Sequence, residues 1–382
     1  MDNKIDATRS RVGPGQRVAL RRLRLAVMAV GSAALMVVGT GSTQAIAPGD
    51  SGLIAYESNR DGSNDILVMN PDGTIETNLT KNPANDVFPA WSNDSTKITF
   101  SSDRHQAGNL DIYVMNVDGS GVTQLTDSPG EDRGTSWTDD GSTIVFHSAR
   151  NRILGGHNFD IFTMRSDGSD PTMIFQNGSA AYVCGSSLNG HIVFNSASDP
   201  TGENPPIGAD PTTGAPIYDF EIFTMDMSGG DVTQLTDNTI LDSGPKWSPD
   251  CQTVSYNSLD AGGSLDVHRV DATGANDVNL TNAPGIFDGF SAWSPDGNEI
   301  VFSSDRSVNF ELFKMSSVDG SNVQRLTTTK RAVADLRADW GSAPARQIPP
   351  DDKDQCRYNQ WKEFTTPSFT SQAVCIDYVN AL

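Results

Sequence analysis

The stretch from Trp293 to Thr327 decides how the chain is read: Trp-Ser-Pro-Asp-Gly (293–297), Ile-Val-Phe-Ser-Ser-Asp-Arg (300–306), Glu-Leu-Phe-Lys-Met (311–315), Asp-Gly-Ser (319–321) and Arg-Leu-Thr (325–327). Short runs of β-branched and aromatic residues are separated by Asp-Gly pairs, which is the chemistry of antiparallel hairpins. Helices have almost no room between such turns. The Glu-Leu-Phe-Lys-Met run has five further copies, starting at Asp65, Asp111, Asp160, Glu221 and Asp266. A tryptophan closing the preceding strand recurs as Trp91, Trp137, Trp247, Trp293 and Trp340.

The copies stand about 45 residues apart, except where insertions lengthen two intervals, and periods of about 40 to 50 with four short strands mark propeller blades. Six copies predict an all-β, six-bladed β-propeller of four-stranded antiparallel blades over residues 50–342. The first copy begins at Leu53 without an inner strand, and Asp335–Trp340 is an inner strand with no blade after it. Joining the two closes the ring and protects both sheet edges. The recurring tryptophans are expected to pack between blades. A carbohydrate platform would instead expose its aromatics on one face.

The order of motifs from Trp293 to Thr327 resembles the TolB-like, WD40-like propeller repeat. The resemblance implies an exported bacterial ring, and relatives of the repeat mostly bind other proteins or escort catalytic domains. It covers the repeat region alone, and the N-terminal α/β domain of TolB itself is not expected.

An acid stands five residues before each tryptophan, namely Asp86, Asp132, Asp242, Asp288 and Asp335, and Arg60, Arg104, Arg150 and Arg306 follow the second strand in four blades. Matched by blade, these give the pairs Asp335–Arg60, Asp86–Arg104, Asp132–Arg150 and Asp288–Arg306. In blade 4 both charges disappear, with Ala181 read at the acid position and Ser198 at the arginine position. Loss in tandem is what a buried ion pair predicts, because either partner alone is costly. The pairs therefore read as loop staples, not as a catalytic carboxylate ring. Blade 5 keeps Asp242 but carries Asp260 where its arginine should be, which suggests a site for a cation, Ca²⁺ included, or for a basic ligand.

Insertions fall on the face that carries the loops entering inner strands and those joining second to third strands. Blade 2 inserts His105-Gln-Ala-Gly108, blade 3 inserts Arg152–His157, and blade 4 inserts residues 199–217, with Asp199 and Asp210 among them. The opposite face keeps short Asp-Gly turns. Loop elaboration on one side predicts a binding face around blades 3–5, with His105, His157, Asp199 and Asp210 as candidate contacts. The alternative is a carbohydrate-active hydrolase or lyase using His, Asp and Arg of that face. No Gly-x-Ser-x-Gly elbow and no spaced histidine metal motif supports an enzyme, and no cofactor is expected.

The chain carries a formal net charge of −21, and residues 1–47 hold seven Lys/Arg against two Asp/Glu, so the remainder stands at −26. Such a domain repels phosphate backbones, which excludes nucleic acid and favours a protein partner, a neutral glycan or a cation. Six arginines before the apolar run Leu25–Gly39, followed by small residues, form a secretory signal over 1–45, cut after Ala45 because Pro48 disfavours the later site. The run is roughly fifteen residues against the roughly twenty of a bilayer span, so no span remains after cleavage. Arg21-Arg22 hints at twin-arginine export. The expected product is a secreted or envelope monomer.

Residues 343–352 read as a linker and 353–382 as a small module stapled by Cys356 and Cys375. The module loosely resembles a two-cysteine unit at the ends of exported actinobacterial proteins. Cys184 and Cys251 lie in successive repeats, and their pairing stays open, since four cysteines allow three connectivities.

Overall fold

A computed structural model describes residues 51–151, 159–185, 189–197, 208–209, 216–217, 220–260, 262–330 and 332–342. The signal, linker and tail module, with Cys356 and Cys375, lie outside these residues, as do His157, Ser198, Asp199 and Asp210. Among the described residues no helix is long and apolar enough to cross a membrane.

Six four-stranded antiparallel sheets form the ring, each running outward from an inner strand, in sequence order in blades 2 to 6. Blade 2 shows the plan: inner strand Asp86–Trp91, then Lys97–Gln106, Asn109–Asn116 and the short outer strand Thr123–Gln124. Blade 1 takes its inner strand, Asp335–Ser342, from the far end of the sequence and pairs it with Ser51–Ser58. The register runs from Ser51 opposite Ser342 through Ile54 opposite Trp340 to Ser58 opposite Asp335. The closure expected from the unpaired first copy is thus a ladder of backbone hydrogen bonds.

Each blade is apolar on both faces, so it buries itself only between neighbours. Trp91 packs with Ala55, Ile66 and Val68 of blade 1, Trp247 with Tyr182, Val193 and Ile222 of blade 4, and Trp340 with Ala292, Val301 and Leu312 of blade 6. All five recurring tryptophans are buried.

The inner strands share a feature that sequence reading missed. Each has a bulge after its second residue, and at the third position Phe88, Gly134, Gly244, Phe290 and Arg337 adopt positive φ. The bulge turns a backbone N–H toward the preceding blade. Phe88 N donates to Glu57 Oε2 (3.0 Å), Gly244 N to Asn195 Oδ1 (3.3 Å), Phe290 N to Asn257 Oδ1 (3.0 Å) and Arg337 N to Ser303 Oγ (3.2 Å). All four acceptors stand one residue before the serine that ends the blade's common second-strand core. In blade 3, Gly134 is required because a Cβ there would lie 2.2 Å from the ring of the buried His147.

The third-strand acids have a structural use as well. Asp266 accepts Thr281 Oγ1 (3.0 Å) and Ala283 N (3.0 Å), and Glu311 accepts Thr327 Oγ1 (2.8 Å) and Thr329 N (2.8 Å), so each acid folds the Leu-Thr loop of its own blade onto the sheet.

One alignment made from sequence needs correction. The register places Gly178 opposite Ser196, as Asp86 lies opposite Ser102, and Val183 opposite Ile192, as Trp91 lies opposite Ile98. The acid position of blade 4 is therefore Gly178 and not Ala181, and its tryptophan position is Val183. Without Trp and Asp as anchors, sequence spacing could not locate the bulge.

Cys184 and Cys251 form a disulfide with Cα atoms 5.9 Å apart, joining blades 4 and 5. Cys251 has φ 58°, at the turn position that Gly141 and Gly297 fill in blades 3 and 6.

Because Trp340 is fully buried at the seam, Trp340→Ala should lower unfolding stability by about 3–5 kcal/mol, read by chemical denaturation.

Candidate functional site

The two ends of the ring differ in kind. At one end, the inner-to-second strand turns of blades 2, 3, 5 and 6 are closed by Asp94, Asp140, Asp250 and Asp296, each accepting its neighbours: Asp296 takes Ser294 Oγ (2.6 Å) and Asn298 N (3.1 Å), and Asp118 takes Ser120 Oγ (2.6 Å) and Ser120 N (2.9 Å) in the third-to-fourth turn of blade 2. The Ser120 hydroxyl and N–H hold the Asp118 carboxyl below the usual carboxylate range. These carboxylates are ionised at neutral pH and occupied by their own turns.

The other end carries the arginines. Arg104 Nη2 reaches both oxygens of the buried Asp86 (2.9 and 3.0 Å), its Nε donates to Ser102 Oγ (3.0 Å), and its guanidinium lies 4.9 Å over Phe100 and 4.8 Å over Tyr113. Arg150 repeats this with Asp132 (2.8 Å), Ser148, Phe146 and Phe162, and Arg306 with Asp288 (2.8 Å), Ser304, Phe302 and Phe313. In blade 1, Arg60 reaches both oxygens of Asp335 (3.1 Å each) across the seam and also Glu76 Oε2 (2.5 Å), whose other oxygen accepts Tyr56 OH (2.9 Å). Each arginine thus bridges the first two strands of a blade; Arg104, Arg150 and Arg306 each roof an aromatic pair, and Arg60 lies over Tyr56 alone.

Blade 4 fills the same place with carbon. Phe175 packs 4.7 Å from Phe194, which stacks 5.7 Å from Phe223, and a Cβ on Gly178 would lie 3.0 Å from Phe175 and 2.7 Å from Ile161. An acid cannot stand there because the phenylalanine already occupies the space.

Blade 5 keeps the frame and changes the charge. Asp242 is buried and accepts Ser258 Oγ (2.6 Å) and Asn238 Nδ2 (2.7 Å). Burial raises its carboxyl above the ordinary value, against the opposing hydrogen bonds from Ser258, Asn238 and Thr236 and the field of His268. Asp260 accepts Ser264 N (2.8 Å) within its own loop, so the two carboxylates have different partners. Beside them Asp277 Oδ1 accepts Tyr256 OH (2.8 Å) and contacts His268 Nδ1 (3.2 Å). Among the described residues no group of three or more His, Cys, Asp or Glu converges as a metal site.

His105 sits in the blade 2 hairpin, which extends to a Gln106–Asn109 pairing, and its exposed ring is 3.9 Å from Asp127. The blade 4 insertion contains a small hairpin, Gly208–Ala209 against Pro216–Ile217. Toward the centre of the ring, Arg337 pairs with Glu57 and lies 4.7 Å over both Phe88 and Phe290. Lys246 Nζ lies 3.8 Å over Tyr182, and burial lowers its ammonium pKa against the field of Asp339. Sequence spacing gave no sign of this interior.

The fold is that of the TolB-type propellers. The chain superposes on TolB from Acinetobacter baumannii with a TM-score of 0.59 and 18% identity, covering 76% of this chain and 67% of that one. A protein assigned as TolB from Agrobacterium tumefaciens gives 0.52 and 18%, covering 72% and 89%. A chain of a nidogen/laminin complex gives 0.54 and 11%, covering 76% and 98%. In sequence, an uncharacterized protein of Agrobacterium fabrum is 32% identical over 117 residues, which are 28% of this chain and 38% of that relative. No family model matches the chain.

The two kinds of acid separate by mutation. Arg104→Ala leaves Asp86 buried without its cation and should cost about 3 kcal/mol in unfolding stability. A raised carboxyl pKa makes the folded chain hold more protons than the unfolded one, so the Asp242 contribution is present below the ordinary carboxylate value and lost as pH rises through the folded one. Relative to wild type, Asp242→Asn should therefore gain Tm between about pH 4 and pH 7, read by scanning calorimetry across that range.

Proposed function

We propose that this chain is an exported, non-catalytic propeller that binds a protein partner through the arginine-bearing end of the ring, over blades 3 to 5. The observation that carries the reading is the contrast between the two ends. At one end most of the described strand turns repeat the same self-satisfied aspartate turns, while at the other the connections differ from blade to blade in length and chemistry. A rigid ring with variable loops on one face presents a surface that can change without disturbing the core.

Export is supported by the arginine-then-apolar N-terminal stretch and by the disulfide between blades 4 and 5, since such bonds persist in oxidising compartments. A protein partner is supported by the net charge of the mature region, which disfavours nucleic acid, and by the similarity of the fold to a chain of a nidogen/laminin complex.

Replacing residues 199–217 with a short Gly-Ser turn tests the assignment. Affinity capture on the 46–382 protein should enrich a partner from envelope extracts of the producing organism. The trimmed variant should lose at least tenfold of that enrichment while keeping its Tm. Undiminished capture by the trimmed variant would remove this face from the interaction.

A further inference from the structure

Four blades of this ring show how its frame holds a guanidinium, and a fifth blade retains the frame while substituting the residue that fills it. We propose that blade 5 is a socket for a guanidinium supplied in trans, by an arginine side chain of the partner, held by Asp242, Ser258 and Asp277 against Tyr256 and His268. The proposal deepens the binding reading above by naming the group recognised at that face.

Blade 1 is the template. Its arginine spends Nε on Ser58 Oγ (3.0 Å), Nη2 on Asp335 and Nη1 on Glu76, over the ring of Tyr56. Blade 5 matches these acceptors by register. Asp242 lies opposite Ser258 as Asp335 lies opposite Ser58. Asp277 precedes the outer strand Val278–Asn279 as Glu76 precedes Thr77–Asn78, and each accepts the hydroxyl of the corresponding tyrosine, Tyr256 or Tyr56. His268 pairs with Asn279 as Leu67 pairs with Asn78, and its ring lies 5.4 Å from that of Tyr256. In the arginine-bearing blades 2, 3 and 6 the two roofed rings lie 5.8, 5.6 and 6.0 Å apart. The differences are His268 for Leu67, Asp277 for Glu76, and the missing donor, because Asp260 stands at the arginine position and turns back onto Ser264.

The present partners of Asp242 do not compete with a guanidinium. Asn82 donates to Asp86 (2.5 Å) just as Asn238 donates to Asp242, and Asp86 still takes both hydrogen bonds from Arg104. The socket faces the variable end: the four resident arginines keep 18–24% of their side-chain surface exposed, and His268 keeps 16%. A planar fork suits the Ser, Asp and second-carboxylate arrangement, and its faces suit aromatic walls. A lysine ammonium offers neither the fork nor the stacking surface.

The test reads the socket without any partner, so it can fail while the loop-face reading stands. N-acetyl-arginine amide is titrated into the 46–382 protein, and the His268 imidazole resonances are followed by NMR. We expect a saturable shift, with N-acetyl-lysine amide at least tenfold weaker. Asp260→Arg, which supplies the missing side chain in cis, and Asp242→Asn, which removes the carboxylate charge, should each weaken the arginine response at least tenfold. If Asp260→Arg does not fold, Asp242→Asn decides alone. A linear, non-saturating shift, equal response to the lysine compound, or unchanged binding by a folded variant would each overturn the proposal.

Discussion

Everything in this molecule depends on burial between blades. A four-stranded sheet such as blade 6, with Trp293, Ile300, Phe302, Phe313 and Met315 on one face and Ala292, Val301 and Leu312 on the other, has no stable existence alone, and each sheet becomes a folded object only when a second is laid against it. The tryptophan that ends the inner strand supplies much of that contact, reaching back into the preceding blade. The bulge two residues into the same strand then fixes the relation of the two sheets, because it aims one N–H at one side chain of the preceding blade. Apolar contact brings the blades together, and the directional hydrogen bond sets their angular spacing.

This division of labour explains what could be read in advance. The blade count, strand order and seam between Asp335–Trp340 and the first copy were legible because hydrophobic period, Asp-Gly turns and tryptophan spacing are local signals repeated six times. The acid–arginine matching was legible because two charges that vary together across repeats betray a contact between distant residues. The bulge was not, since its third position holds Phe, Gly or Arg in different blades and only backbone geometry unites them. Blade 4 was misaligned by three residues for the same reason: Gly178 and Val183 keep the backbone path while discarding both side chains that mark it.

The buried acceptors that face each bulge were also hard to see. Glu57, Asn195, Asn257 and Ser303 occupy one structural position with three different residue types, so no motif announces them. What they share is an acceptor oxygen, and the backbone N–H they receive needs nothing more. Phe175 is another case, since its meaning lies in the arginine whose place it takes.

The two closures of the ring have a joint consequence. The seam in blade 1 is held by hydrogen bonds, packing and the Asp335–Arg60 pair, whereas the boundary between blades 4 and 5 carries a covalent bond. These junctions lie on roughly opposite sides of the circle. When the seam parts, the molecule opens as a clasped bracelet does, into two arcs still riveted at the back. The rivet keeps the free edges within reach of each other, so the chain recloses on itself more readily than it offers those edges to a neighbour.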